Sequence, residues 1–179
     1  MGWKIKSEKK IFKCDFFELR SEDCITTGGQ NIKDYFLFSC ADWVQVICKD
    51  VDGNFVMVEQ YRHGGKKSFL EFPGGVVDKG ESLEFTAKRE LLEETGYEAG
   101  ALSYLGFDFP NPALQDNKVH VFLASNCEKI ANQNLDHGEE ITVKVIESKE
   151  LAKQVTKSGN HSLMLSSYIK YLNFDSAKS

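Results

Sequence analysis

The sequence predicts α+β or α/β/α layering, with a block of strands ahead of the first helix. Three observations carry this. Strand-like and helix-like segments are mixed along the chain instead of alternating regularly, which argues against a doubly wound parallel sheet. About four strand-like segments precede the first helix. That helix, Leu83 to Thr95, is bracketed by a capping serine at Ser82 and a terminating glycine at Gly96, with no Pro or Gly between them.

Lys4 to Arg20 mixes apolar and polar residues in a way compatible with a strand, and Thr26-Thr27-Gly28-Gly29 supplies a turn. Asp34 to Cys40 and Trp43 to Cys48 read as strands. Asp50-Val51-Asp52-Gly53 makes a hairpin turn into the next strand, Asn54 to Tyr61. Beyond the helix, Phe107 to Phe109, Lys118 to Ala124 and Ile141 to Ile146 read as strands. Glu147 to Lys157 and Ser162 to Leu172 read as helices, the second with Leu163, Leu165, Tyr168, Ile169 and Leu172 on an apolar face.

The helix at 83–95 also carries the chemistry. Glu90, Glu93 and Glu94 lie three and four positions apart and therefore share one face. Like charges at such spacings destabilise an isolated helix by about 0.2–0.5 kcal/mol per pair. A hard divalent cation, Mg²⁺ or Mn²⁺, reverses that cost, because clustered carboxylate oxygens are its preferred ligands. Leu83, Ala87 and Leu91 form one apolar stripe, with Phe85 and Leu92 on the other flank, so the helix is expected to pack on two sides and to line a cleft with its acidic face. Arg89, four residues before Glu93, is placed to pair with it. The bland alternative is a solvated charged surface.

The spacing decides against that alternative. From Gly75 the chain reads Gly, five residues, Glu81, seven residues, Arg89-Glu90-Leu91, one residue, Glu93-Glu94, one residue, Gly96. This resembles the Nudix box, the signature of the Nudix hydrolases, departing from it only at Tyr97, where the family usually has an aliphatic residue. The resemblance implies a Nudix fold over residues 41–179, an α+β fold with a mixed β-sheet packed between helices as an α/β/α sandwich, and residues 1–40 as an N-terminal strand region that adds extra strands. It gives Glu90, Glu93 and Glu94 as metal ligands, with the Gly74 carbonyl beside them, and Gly75, Glu81, Arg89 and Gly96 as structural residues of the box.

Val58-Glu59-Gln60-Tyr61-Arg62 and Glu71-Phe72-Pro73-Gly74-Gly75 are similar to segments of the ADP-ribose pyrophosphatase branch. They imply Gln60, Tyr61 and Arg62 as substrate contacts, and a planar guanidinium at a strand end suits phosphate oxygens or ribose hydroxyls. Asn111 and Pro112 lie where that branch carries a proline-containing substrate loop, here NPA in place of the commoner SPG. Asp136-His137-Gly138-Glu139-Glu140-Ile141 lies where the branch places a loop glutamate. Glu139 fits that register best and Glu140 second, as general base or further metal ligand, and Glu93 is the other candidate base. His120, inside an apolar strand, reads as a core histidine.

The implied function is Mg²⁺-dependent hydrolysis of the pyrophosphate bond of a nucleoside diphosphate sugar, ADP-ribose first, giving a nucleoside monophosphate and a sugar phosphate. The alternatives are a Nudix hydrolase of dinucleoside polyphosphates, nucleotide coenzymes or RNA 5′ ends, and a sugar-nucleotide sensor without turnover. The same branch implies a homodimer through the N-terminal strands.

The composition agrees with a soluble enzyme. The chain has 41% hydrophobic and 27% charged residues. A formal net charge of −5 argues against nucleic acid as a general partner, which would call for a basic stripe. Any phosphate substrate must then be attracted locally. There is no apolar run of membrane-spanning length and no secretory h-region, so no membrane partner and a cytoplasmic location are expected. The five cysteines are odd in number and without a CxxC pair, which reads as reduced thiols.

Overall fold

The computed structural model describes residues 2–177, which form two compact units. Of the described residues, the first comprises 2–42 together with Phe109–Lys118, and the second Trp43–Asp108 and 119–177.

The first unit is a three-stranded antiparallel sheet of β1 (Lys4–Lys13), β2 (Glu18–Ile25) and β3 (Asn31–Ser39) in that order. The single strand expected over Lys4 to Arg20 is thus a hairpin. It breaks at residues 14–17, where the Cys14 N–H donates to the Phe17 carbonyl at 3.0 Å and the chain turns back on itself. Phe109–Lys118 folds against β3, the Phe38 N–H donating to the Leu114 carbonyl at 2.7 Å. Arg20 threads this unit's acidic residues, 2.9 Å from Glu22 and 3.0 Å from Asp116.

The second unit is built on a larger sheet. β4 (Trp43–Asp50) lies parallel to β9 (Val119–Lys129). β5 (Phe55–Arg62) pairs antiparallel with β4, with β6 (Lys67–Glu71) and with β10 (Ile141–Ile146), while β7 (Tyr97–Glu98) and β8 (Ala101–Asp108) pair with β9. The β4–β5 turn forms as expected, with Asp50 Oδ1 accepting the Asn54 N–H at 2.7 Å. Strand β6 was not legible, because KSFLE is short and follows a basic glycine loop. Strand β8 begins six residues before the expected Phe107.

β4 and β5 pair only at Cys48↔Val56 and Lys49↔Phe55 and then separate. The gap beside β4 is filled by the chain leaving β6: the Val46 N–H donates to the Pro73 carbonyl at 2.8 Å and the Val44 N–H to the Gly75 carbonyl at 2.9 Å. Gly74 has φ +157°, and a Cβ there would lie 2.1 Å from the Val44 carbonyl oxygen, so only glycine allows this approach.

Alternation along the strands fills both faces of the sheet. Val44, Val46, Cys48 and Val56 pack with Ala87 and Leu91 of α1 (Leu83–Thr95). Ile47, Phe55, Met57 and Val121 pack with Leu151 and Val155 of α2 (Ser148–Val155) and with Met164 and Tyr171 of α3 (Ser162–Ser176). This is the α/β/α sandwich.

Two helix faces differ from expectation. Phe85 is 57% exposed, so α1 packs through its Ala87/Leu91 side and not on both flanks. On α3 Leu163 is buried and Tyr168 packs against the core as expected, but the other buried residues are Met164, Ser167 and Tyr171, while Leu165, Ile169 and Leu172 are exposed. Two specific contacts set that rotation. Met164 Sδ accepts the Phe72 N–H at 3.0 Å, and the Ser167 hydroxyl donates to the buried Gln45 at 2.5 Å. Hydrophobic periodicity alone does not see such anchors. His120 is buried, with Tyr104 Oη 2.9 Å from its Nδ1.

Candidate active site

α1 starts and ends as its termini require. Ser82 Oγ accepts the Phe85 N–H at 3.2 Å, and Gly96 adopts the left-handed conformation (φ +76°) while its N–H donates to the Leu92 carbonyl at 2.8 Å. These ends fix the helix rotation and turn Glu90, Glu93 and Glu94 toward the Gly74–Gly75 loop.

Glu94 is 4% exposed, and its Oε2 accepts the Gly74 N–H at 2.8 Å. Gly75 faces Glu90: a Cβ there would lie 2.4 Å from Glu90 Oε1, so the absent side chain is the space the carboxylate occupies. Arg89 is the hub of the rest. It donates to Glu81 from Nε at 3.2 Å and from Nη2 at 3.0 Å, and from Nη1 to Glu90 at 2.9 Å and to Glu93 at 3.0 Å. Its pairing therefore reaches two carboxylates beyond the Glu93 contact that spacing suggests. Glu81 is further held by the Thr86 hydroxyl at 2.7 Å.

Electrostatics follow from this geometry. Arg89 and the Thr86 hydroxyl hold the Glu81 carboxyl below its ordinary range. Burial pushes Glu90 up to about 6 against the opposing pull of Arg89, with Glu93 and Glu139 adding to the rise. Burial pushes Glu94 up to about 8; the Gly74 N–H and Arg62 pull it down, while Glu90 and Glu139 push it further up.

Glu139 thus acts on the box carboxylates from a distant loop. The segment before it docks on the C-terminal end of α1, where carbonyls lack helical partners. The Gln133 side-chain amide donates to the Glu94 carbonyl at 2.6 Å, and the Asn134 N–H to the Glu93 carbonyl at 2.9 Å. The loop then turns, the Glu139 N–H donating to the Asp136 carbonyl at 3.1 Å and Glu139 Oε2 accepting the Asp136 N–H at 3.0 Å. Glu139 is half-buried, whereas Glu140, His137 and Asp136 are exposed. Gln133 and Asn134 had no sequence signal, since amides in a polar loop look like any other loop.

Arg62 forms a fork with Glu71, Nε to Oε1 at 3.1 Å and Nη2 to Oε2 at 2.7 Å. That fork holds its pKa above the ordinary value, with the charges of Glu94 and Glu139 contributing. Tyr61 is 48% exposed, its ring edge-on to His63, and Gln60 pairs in register with Ile141 and Phe69. Asn111 and Pro112 belong to the first unit, where the Asn111 carbonyl accepts the Leu114 and Gln115 N–H groups at 2.9 and 2.8 Å.

The structure therefore brings Glu90, Glu93, Glu94, Glu139 and Arg62 together. Among the described residues, no three His, Cys, Asp or Glu side chains are arranged as a ready metal cage. Arg89 donates to oxygens of both Glu90 and Glu93. The donor set nevertheless fits a hard divalent cation: it is all oxygen, and the two most buried carboxylates carry a proton affinity that an adjacent cation would reverse.

A mixed sheet between helices, with a glycine loop feeding a carboxylate helix at its edge, defines a class of hydrolase. A model of the NUDIX domain matches residues 42–165. The chain is 30% identical to ADP-ribose pyrophosphatase of Bacillus subtilis (strain 168), over 96% of this chain and 92% of that protein. It is 36% identical to methanol dehydrogenase activator of Bacillus methanolicus, over 72% of this chain and 68% of that protein. Its fold is that of a crystal structure of an ADP compounds hydrolase, with a TM-score of 0.85 at 19% identity, covering 100% of this chain and 97% of that one. The chain belongs to the Nudix family and is a Nudix hydrolase.

Proposed function

We propose that this enzyme hydrolyses the pyrophosphate bond of nucleoside diphosphate sugars with Mg²⁺, ADP-ribose being the first substrate to test. The observation that supports it best is the convergence of Glu90, Glu94, Glu139 and Arg62 from three separate segments. The near full-length similarity to an ADP-ribose pyrophosphatase adds the substrate class.

Glu90, Glu93 and Glu94, with the Gly74 carbonyl and Glu139, would hold the cation. A cation held there would supply neutralisation of diphosphate charge and activation of the attacking water. The remaining work falls to the chain. Arg62 binds a phosphate oxygen through the edge of its guanidinium turned away from Glu71. Glu139, or Glu93 in its place, accepts the proton of the attacking water. Arg89 keeps the box carboxylates from repelling one another before the cation arrives. Tyr61 and Gln60 flank Arg62 and contact the nucleoside diphosphate.

We further propose a cytoplasmic homodimer formed through the first unit, where Ile5, Ile11, Phe12, Phe16 and Phe36 are exposed. No helix among the described residues is long and apolar enough to cross a membrane. Analytical ultracentrifugation of the intact chain tests the dimer, and a single species of monomer mass rejects it.

The activity test is product formation with Mg²⁺ across ADP-ribose, ADP-glucose, GDP-mannose, UDP-glucose, NADH, a dinucleoside tetraphosphate and the common triphosphates. Release of a nucleoside monophosphate and a sugar phosphate supports the reading. Turnover confined to triphosphates or the tetraphosphate overturns the substrate class, and tight binding with no turnover anywhere overturns the activity.

A further inference from the structure

Glu71 is the most buried carboxylate of the second unit that the chemistry above does not use. It is 3% exposed, it ends β6, and both its oxygens face cations or an imidazole. Arg62 takes one oxygen from Nε and the other from Nη2. On its other side, His161 Nδ1 lies 3.7 Å from Oε1, buried and without a hydrogen bond. The loop before His161 is fastened to β6, since Lys67 Nζ donates to the Gly159 carbonyl at 2.5 Å and the His161 ring meets Phe69 edge-on at 6.3 Å.

The strand register makes this contact informative. Glu71 stands opposite Val58, whereas Arg62 stands opposite Lys67, four residues further along β5. At roughly 3.3 Å per residue those positions are about 13 Å apart along the strand. Arg62 therefore does not extend outward from its strand end, where an unheld arginine would trade water contacts freely. Its side chain runs back along β5, toward the loop where β6 gives way to Gly74. In that pose the guanidinium lies in the field of Glu94 and Glu139.

We infer that Glu71 is a positioning residue for Arg62: the fork to this buried carboxylate fixes the guanidinium plane and presents its Nη1 edge to the diphosphate of the substrate. This rests on the reading that Arg62 contacts substrate. A side-on fork occupies Nε and Nη2, so the opposite edge of the planar group remains available to a second anion in the same plane. Fixing that plane before binding removes rotamer entropy that a flexible arginine would otherwise lose in the complex. The burial of Glu71 limits the access of water to its side of the fork.

The test is steady-state kinetics with Mg²⁺ on the sugar nucleotide of the panel that is turned over fastest. The proteins are the wild type, Glu71→Gln, Glu71→Asp, Arg62→Gln and the Glu71→Gln/Arg62→Gln double variant, with thermal melts alongside. Glu71→Gln is expected to raise KM about tenfold, the scale of one charge-assisted hydrogen bond, and to lower kcat by a smaller factor. The double variant is expected to match the KM of Arg62→Gln alone, because a positioning residue has nothing left to position. A wild-type KM in Glu71→Gln, or fold-changes that multiply in the double variant, overturns the inference and leaves the substrate contact standing. A wild-type KM in Arg62→Gln overturns both. Glu71→Asp keeps the carboxylate but draws it back by one methylene, and it decides the matter if the glutamine variant does not fold: a KM raised about threefold supports positioning, and an unchanged KM rejects it.

Discussion

Two arginines of the second unit face carboxylates, and they end in different states. Arg89 lies within one helix and is saturated: Glu81, Glu90, Glu93 and the Val76 carbonyl all accept from it. Arg62 is shared between two strands, binds the single carboxylate of Glu71, and has a side chain 46% exposed against 23% for Arg89. The difference separates two uses of the same residue type. A cation surrounded on every edge balances its neighbours, while one held along a single edge is presented to something else. Arg89 therefore belongs to the construction of the carboxylate face, and Arg62 to what that face meets.

The largest effect that would break this division is at Glu94, which belongs to neither arginine's hydrogen-bond set. Glu94→Gln is nearly isosteric and can still accept from the Gly74 N–H. Loss of outer partners of metal ligands costs about 10–100-fold, so loss of a direct, buried ligand is expected to lower kcat by more than about 100-fold. A kcat within tenfold of wild type at saturating Mg²⁺ would remove Glu94 from the metal site. Gly75→Ala attacks the same face from the loop, since its Cβ would displace the Glu90 carboxylate. A reduced Mg²⁺ affinity, read as a higher half-saturating Mg²⁺ concentration for turnover, is expected there.

Arg89→Gln sharpens the comparison from the other side. It leaves Glu90 and Glu93 facing each other without their shared cation. Hydrogen bonds to charged groups are worth about 1.5–3 kcal/mol each, and part exposure reduces that, so a loss of about 2 kcal/mol in urea unfolding without metal is expected. Added Mg²⁺ should restore more stability to this variant than to the wild type. Equal restoration would mean that Arg89 and the cation do not answer the same repulsion.

How much of this was legible in the sequence follows the same division. Glu90 and Glu93 are three apart on one helix and Arg89 is four before Glu93, so spacing alone put the two carboxylates on one face and paired the arginine with Glu93, while Glu81 entered through the resemblance. Glu71 and Arg62 meet only because β5 and β6 pair with a particular register and because an arginine leans back along its strand, and neither fact is written in residue spacing. The Glu139 loop was placed by resemblance, but its attachment through Gln133 and Asn134 was not, as polar side chains bonding helix carbonyls leave no periodic trace. The face that α3 buries was misread for a related reason: Ser167 and Met164 are anchored by single contacts to Gln45 and Phe72, which outweigh a stripe of larger apolar residues.

A further expectation concerns pH. The folded-state pKa values of Glu90 and Glu94, about 6 and about 8, lie above those of an unfolded glutamate. The native state therefore holds protons that the unfolded chain has released, and metal-free stability should fall as pH rises from about 4.5 toward 8. Thermal melts in EDTA across that window check the sign. Glu94→Gln should flatten most of the decline, and a wild-type midpoint that rises with pH would refute the burial of these carboxylates.

The smallest effect tests whether α1 positions its carboxylates along its whole length or through Arg89. Ser82 caps the helix more than two turns before Glu90, and it touches neither a carboxylate of the face nor a substrate contact. Ser82→Ala removes one acceptor for the first-turn N–H groups and is expected to cost about 1 kcal/mol of unfolding free energy. Because Arg89 and the Gly74 N–H hold Glu90, Glu93 and Glu94 from their own end of the helix, kcat and the Mg²⁺ dependence should stay within about twofold, the scale below which a distant independent site does not couple. A shift in Mg²⁺ dependence as large as that of Arg89→Gln would mean that fraying at the first turn reaches the carboxylates. Arg89 would then be a passenger on a rigid helix and not the residue that sets the face.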